Sequence, residues 1–125
     1  CSNRDLLEQI AAAGQPWPVS TLAQAAGEAA LQNAAEYLEK TRKYLKRERE
    51  FLRYGLTCCG YKVFESHANY LFFLAQDTQL VQKMRQEGIL IRGCENYRGL
   101  GPGYYRIAIR RHEDNIKLLG AFERI

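Results

Sequence analysis

The sequence predicts an α+β two-layer sandwich, a small and mainly antiparallel sheet with helices packed on one face. Three observations lead there. Residues 34–57 place Leu38, Leu45 and Leu52 at every seventh position beside Tyr37, Tyr44 and Phe51, one apolar stripe on a long helix. After Gly60 the period shortens to that of strands, in Tyr61–Phe64, Asn69–Leu74, Ile89–Ile91 and Tyr104–Ile109. Helical patterns at Thr78–Glu87 and beyond Asn115 interrupt those runs, so helices and strands must share one core.

The chain has 125 residues, 46% hydrophobic and 26% charged, enough for one compact core. Its longest apolar run, Tyr70–Ala75, is too short to span a bilayer, and no basic segment followed by an apolar one opens the sequence. The reading is cytoplasmic, with no membrane partner. The first residue is Cys1, which reads as processing or as a piece cut from something longer. Four cysteines at 1, 58, 59 and 94 show no C-x-x-C spacing, and only two histidines accompany them. Reduced structural thiols and no metal are expected.

Residues 3–13 form a short helix with Leu6, Leu7 and Ile10 on one side, capped by Ser2 or Asn3 and stopped by Gly14. Pro16 and Pro18 then force an extended segment around Trp17, a candidate boundary where the tryptophan anchors one body on another or packs on the local core. Ser20 caps an alanine-rich helix from Thr21 to about Gln32, whose small side chains want a neighbour. On the long helix, Lys40, Arg42, Lys43, Lys46, Arg47 and Arg49 alternate with Glu36, Glu39, Glu48 and Glu50. Interleaved charges read as a solvated face with i,i+4 pairs and not as a nucleic-acid surface. Leu80, Val81 and Met84 point inward from the next helix, which Gly88 closes. In the last helix Ile116, Leu118, Leu119 and Phe122 are apolar, and Glu113 and Asp114 serve its N-terminus. His67 and His112 stand alone in different contexts.

The chemistry concentrates between Ile89 and Arg110. Two β-like runs flank a turn-rich loop with Asn96, Gly99, Gly101, Pro102 and Gly103, a hairpin or a crossing loop. Each run carries an arginine in an apolar setting, Arg92 and Arg106. A guanidinium matches a carboxylate or a phosphate two bonds at a time, so two of them suit a doubly anionic small molecule. Alternation puts Tyr105, Ile107 and Ile109 on the core face and Tyr104, Arg106, Ala108 and Arg110 on the other. Arg106 therefore faces water or a partner covering that side of the sheet.

Four segments in this order, Gly14–Ser20, Ser66–Tyr70, Gly88–Arg92 and Tyr105–Ile109, resemble the C-terminal part of class I/II aminotransferases of fold type I. The resemblance is to the branch holding histidinol-phosphate aminotransferase and threonine-phosphate decarboxylase, and Asn96–Leu100 leans toward the decarboxylase. It implies pyridoxal 5′-phosphate as cofactor, a phosphorylated amino acid as substrate, Arg106 for the substrate carboxylate and Arg92 for its phosphate, in a homodimer. It also implies a large domain that carries the catalytic lysine. The chain's own lysines, at 40, 43, 46, 62, 83 and 117, sit where nothing desolvates an amine. Residues 1–18 then belong to the tail of that large domain and residues 19–125 to the small domain, which alone is inactive. No catalytic or cofactor-binding residue is expected here. A stand-alone module for a small anion or nucleic acid competes with this reading, and charge reversal at Lys43, Lys46 and Arg47 distinguishes it.

Overall fold

A computed structural model describes residues 3–15, 17–32 and 34–125. The expectations placed on Cys1, Ser2 and Pro16 lie outside them. The chain divides into two compact units, Cys1–Leu38 and Glu39–Ile125.

The first unit holds helices α1 (Arg4–Ala13) and α2 (Thr21–Gln32). Asn3 caps α1 by accepting the Leu6 N–H at 3.1 Å, and the Gly14 N–H donates to the Ile10 carbonyl at its other end. The Ser20 hydroxyl accepts the Ala23 N–H at 3.3 Å and opens α2. Neither helix has a buried residue. Trp17 is 86% exposed, so packing on the local core is ruled out for it.

Helix α3 (Ala35–Cys58) begins in the first unit and runs through the second, followed by β1 (Lys62–Val63), β2 (Tyr70–Leu74), α4 (Leu80–Gln86), β3 (Arg92–Gly93), β4 (Tyr104–Ala108) and α5 (His112–Phe122). The four strands form one sheet in the order β1-β2-β4-β3, every neighbouring pair antiparallel. Leu71 and Phe73 of β2 and Tyr105 and Ile107 of β4 turn inward, where they meet Leu52 and Leu56 of α3, Leu80 and Met84 of α4, and Leu118, Leu119 and Phe122 of α5. This is the expected α+β sandwich. The alternation along β4 holds, with Tyr105, Ile107 and Ile109 all buried.

Two glycines set local geometry. Gly88 ends α4 at φ 75°, and Gly103 starts β4 at φ 95° with its backbone so close to β2 that a Cβ would lie 2.6 Å from the Ala75 carbonyl oxygen. The Asp77 carboxylate accepts the Gln79 N–H at 2.8 Å and pairs with Lys83 at 2.6 Å, which holds it below the usual carboxylate range.

Four details differ from the sequence reading. The third strand is Arg92–Gly93 and not Ile89–Ile91, because only the later residues lie opposite Tyr105 and Arg106. Ile116 is half exposed, one residue out of phase with the inward Leu118, Leu119 and Phe122. The stripe of α3 begins late: Leu38 and Tyr37 are exposed, while Leu45, Leu52 and Leu56 carry the contact. Glu48 is not on a solvated face at all, being 0% exposed.

Candidate functional site: an arginine-bearing open sheet face

The face of the sheet away from the helices carries Tyr70 and Phe72 from β2 and Tyr104 and Arg106 from β4. Phe64, Phe72 and Tyr104 stack there with ring centroids 5.1–6.2 Å apart. Register decides what lies beside Arg106. Its Cα partner is Phe72 on one side and Arg92 on the other, so one row across the sheet reads Phe72, Arg106, Arg92. The two arginines that the sequence singled out are thus brought directly opposite one another. The turn between them is a hairpin connection, extended past Gly93 by the Cys94 N–H donating to the Tyr104 carbonyl at 2.9 Å.

Like charges directly opposite on paired strands repel by a few tenths of a kcal/mol to about 1 kcal/mol. No carboxylate within ion-pair distance of either guanidinium occurs among the described residues. Aromatic faces hold them instead. The Arg106 guanidinium carbon is 4.6 Å from the Tyr70 ring centroid, and that of Arg92 is 5.9 Å from the Tyr97 centroid. Their remaining donors are available to an anion.

Two hollows meet at Arg106. One, of about 330 Å³, is bounded by Glu65 and the Ser66–Ala68 loop, Tyr70, Cys94 and Tyr97. The other, of about 380 Å³, lies between Asn69, Tyr70, Arg92 and Arg106. Both are in the size range of small-molecule sites. Burial raises the Cys94 thiol above its ordinary value, while Arg106 and Arg92 pull it down, so this wall of the hollow is a neutral thiol beside two cations.

The loop before β2 is tied at three points. The Ser66 hydroxyl donates to the Tyr70 carbonyl at 2.6 Å and accepts the Ala68 N–H at 3.2 Å. Arg49 of α3 donates to the Ala68 carbonyl at 2.7 Å. Sequence reasoning did not single out Tyr70, Tyr97, Cys94 or Arg49 for this site. For Tyr70 a signal existed: it shares the parity of Phe72, opposite to that of the core residues Leu71 and Phe73. Nothing local marks the others, which reach the site through the chain's return.

The histidines lie apart. His67 is exposed at the rim and 3.5 Å from Glu65. His112 is 2.9 Å from Glu48, which also accepts from Asn115 at 3.0 Å, and Asn115 in turn binds the backbone of Arg110 through both atoms of its amide. Burial raises the Glu48 pKa, but the hydrogen bonds from His112, Asn115 and Arg47 outweigh it, and the carboxyl sits below its ordinary value. This network fastens the end of β4 to α3 and α5. Among the described residues, no group of three or more His, Cys, Asp or Glu could hold a metal, and no helix is long and apolar enough to cross a membrane.

The fold is an α+β sandwich whose open sheet face presents two opposed arginines. The family of class I and II aminotransferases matches residues 1–122, and the chain belongs to that family. It is 37% identical over 115 residues to the threonine-phosphate decarboxylase of Salmonella typhimurium, covering 88% of this chain and 31% of that protein. The solved histidinol-phosphate aminotransferase of Clostridium acetobutylicum superposes with a TM-score of 0.77 at 28% identity, over 98% of this chain and 38% of the other. The L-threonine-O-3-phosphate decarboxylase of Porphyromonas gingivalis gives 0.71 at 28% identity, over 98% and 39%. The chain spans about a third of the length of the curated relatives it matches.

Proposed function

We propose that this chain is the substrate-binding part of a pyridoxal-phosphate-dependent enzyme acting on a phosphorylated amino acid, with Arg106 taking the carboxylate and Arg92 the phosphate. The observation that carries the reading is the cross-strand arginine pair on an open face, with no carboxylate among the described residues within ion-pair distance of either. Two adjacent forks suit a ligand whose carboxylate and phosphate are separated by a short carbon chain. Such a ligand is L-threonine O-3-phosphate. The reaction we favour is its decarboxylation, in which CO2 leaves, a proton takes its place at the α-carbon, and 1-aminopropan-2-ol O-phosphate is released. This is a step belonging to cobalamin biosynthesis, and the relatives named as threonine-phosphate decarboxylases support it.

We read the family's cofactor as seated outside this chain, from the state of its lysines. Lys40, Lys43, Lys46, Lys62 and Lys117 are exposed, and Lys83 is engaged by Asp77, so no amine among them is desolvated for a Schiff base. We therefore assign the cofactor to a large domain outside the sequence, which residues 1–18 would join, and take residues 19–125 as the small domain. Cytoplasmic location and a homodimer complete the proposal. The role left to this chain is positioning. Arg106 orients the carboxylate, and Arg92 contributes binding from the remote phosphate.

A second reading is amino transfer, favoured by the 0.77 superposition on a histidinol-phosphate aminotransferase. Products separate the two: CO2 without a keto acid, against consumption of 2-oxoglutarate. In the complete enzyme Arg92→Ala is expected to abolish the preference for phosphorylated over plain substrate, and Arg106→Ala to lower kcat/KM through the carboxylate by roughly a hundredfold. Unchanged kinetics in either variant removes that assignment. The nucleic-acid alternative is not favoured, since Lys43 pairs with Glu39 and Arg53 with Glu50 along α3.

A further inference from the structure

Arg106 stands in an electrostatically awkward place. Arg92 lies directly opposite it on one side, and no carboxylate among the described residues is within ion-pair distance of either guanidinium, Glu65 in the lining of the hollow being paired with His67. We propose that Tyr70 is the positioning residue for Arg106, its ring face holding the guanidinium on the β2 side so that an anion enters between Arg106 and Arg92. The inference rests on the reading of Arg106 as an anion-binding residue.

Three observations carry it. Tyr70 is diagonal to Arg106 across the β2–β4 pair, within reach of a long side chain on the same face, and the ring centroid is 4.6 Å from the guanidinium carbon. The backbone that carries the ring is tied, since the Ser66 hydroxyl donates to the Tyr70 carbonyl and Arg49 to the Ala68 carbonyl two residues before it. Repulsion from Arg92 acts in the same direction, pushing Arg106 toward the ring. Arg92 has the looser hold, because Tyr97 belongs to the loop, is 41% exposed and lies 5.9 Å away. Arg106 is therefore the fixed half of the pair and Arg92 the adaptable half. A pre-placed guanidinium loses less side-chain freedom when it binds, and affinity rises accordingly.

The attraction depends on the negative face of the ring and not on its shape, which supplies the test. Phenylalanine and its mono-, tri- and pentafluoro analogues are placed at position 70 of the full chain, and inorganic phosphate and O-phospho-L-threonine are titrated at constant ionic strength. The side-chain Nε–Hε resonances of the arginines read binding, and backbone amides confirm an unchanged fold. Phenylalanine is expected to retain affinity, and progressive fluorination to weaken it by roughly two- to fivefold while the Arg106 resonance loses its distinct ligand-free position. If affinity and that resonance stay flat along the series while Arg106→Ala abolishes binding, Tyr70 is mere packing and the proposed role of Arg106 survives. If Arg106→Ala binds both anions like the parent chain, both proposals fall.

Discussion

At the scale of single residues, Glu48 is the most demanding placement in the chain. Its carboxylate is buried, which raises its pKa, and the hydrogen bonds from His112, Asn115 and Arg47 bring it below the ordinary value. Arg47 binds one carboxylate oxygen and His112 and Asn115 share the other, so the amide of Glu48→Gln must aim a donor at Arg47 or at the His112–Asn115 pair, which is expected to cost about 2 kcal/mol. The pH dependence has a definite sign. With the folded pKa lowered from 4.5, the unfolded chain binds the proton more tightly. Stability from this group is complete above that ordinary value and is lost as the pH falls through the lower folded one. Urea midpoints measured from pH 6 to pH 3 should show a decline in the parent chain that the Gln variant lacks. An equal decline in both would assign the acid sensitivity elsewhere. The consequence reaches the site, because Asn115 fixes the Arg110 backbone and with it the end of the strand that carries Arg106.

At the scale of elements, the contact between α3 and α5 has no spare room at Gly55. A Cβ there would fall on the methyl groups of Leu119, itself buried in the core. Valine at 55 forces Leu119 out of its place, an overpacking cost of about 2 kcal/mol that exceeds any gain in helix propensity. Urea denaturation of Gly55→Val, Leu119→Ala and the double variant checks this. The second substitution should cost clearly less when valine is already present, whereas strict additivity would mean that the two positions do not compete for space. Such a requirement cannot be read from either helix alone. What the sequence does display is local. The bounds of α2 follow from Ser20 and its alanines, and the inward face of β4 follows from alternation. Strand β3 is only two residues long, so pairing and not composition defines it. Glu48 looked solvated because its helix neighbours are charged, and only the arrival of His112 and Asn115, more than sixty residues later, covers it. The two arginines were legible as a pair of strand cations; their direct opposition was not, since register is set across the loop.

At the scale of the whole molecule, the two units differ in what holds them. The unit from Glu39 to Ile125 has a continuous core drawn from α3, α4, α5 and the sheet. Helices α1 and α2, of 10 and 12 residues, bury none of theirs. Isolated helices of that length are marginal in water, so propensity and caps alone must sustain them. Amide exchange in the full chain should therefore be on the order of a thousandfold or more faster in α1 and α2 than in β2, β4 and α5, the former opening locally and the latter only with the core. Comparable protection in both sets would refute that division of stability. The same experiment bears on the proposed large domain. Trp17, Leu22 and Leu31 are exposed apolar residues within this first unit, and a covering surface converts such residues from a liability into a contact. In a longer polypeptide that includes the proposed domain, α1 and α2 are expected to gain protection while the α5 amides stay as they were. Gain confined to the long polypeptide, and absent when the short chain is merely concentrated, would identify the large domain and not a second copy as what covers them.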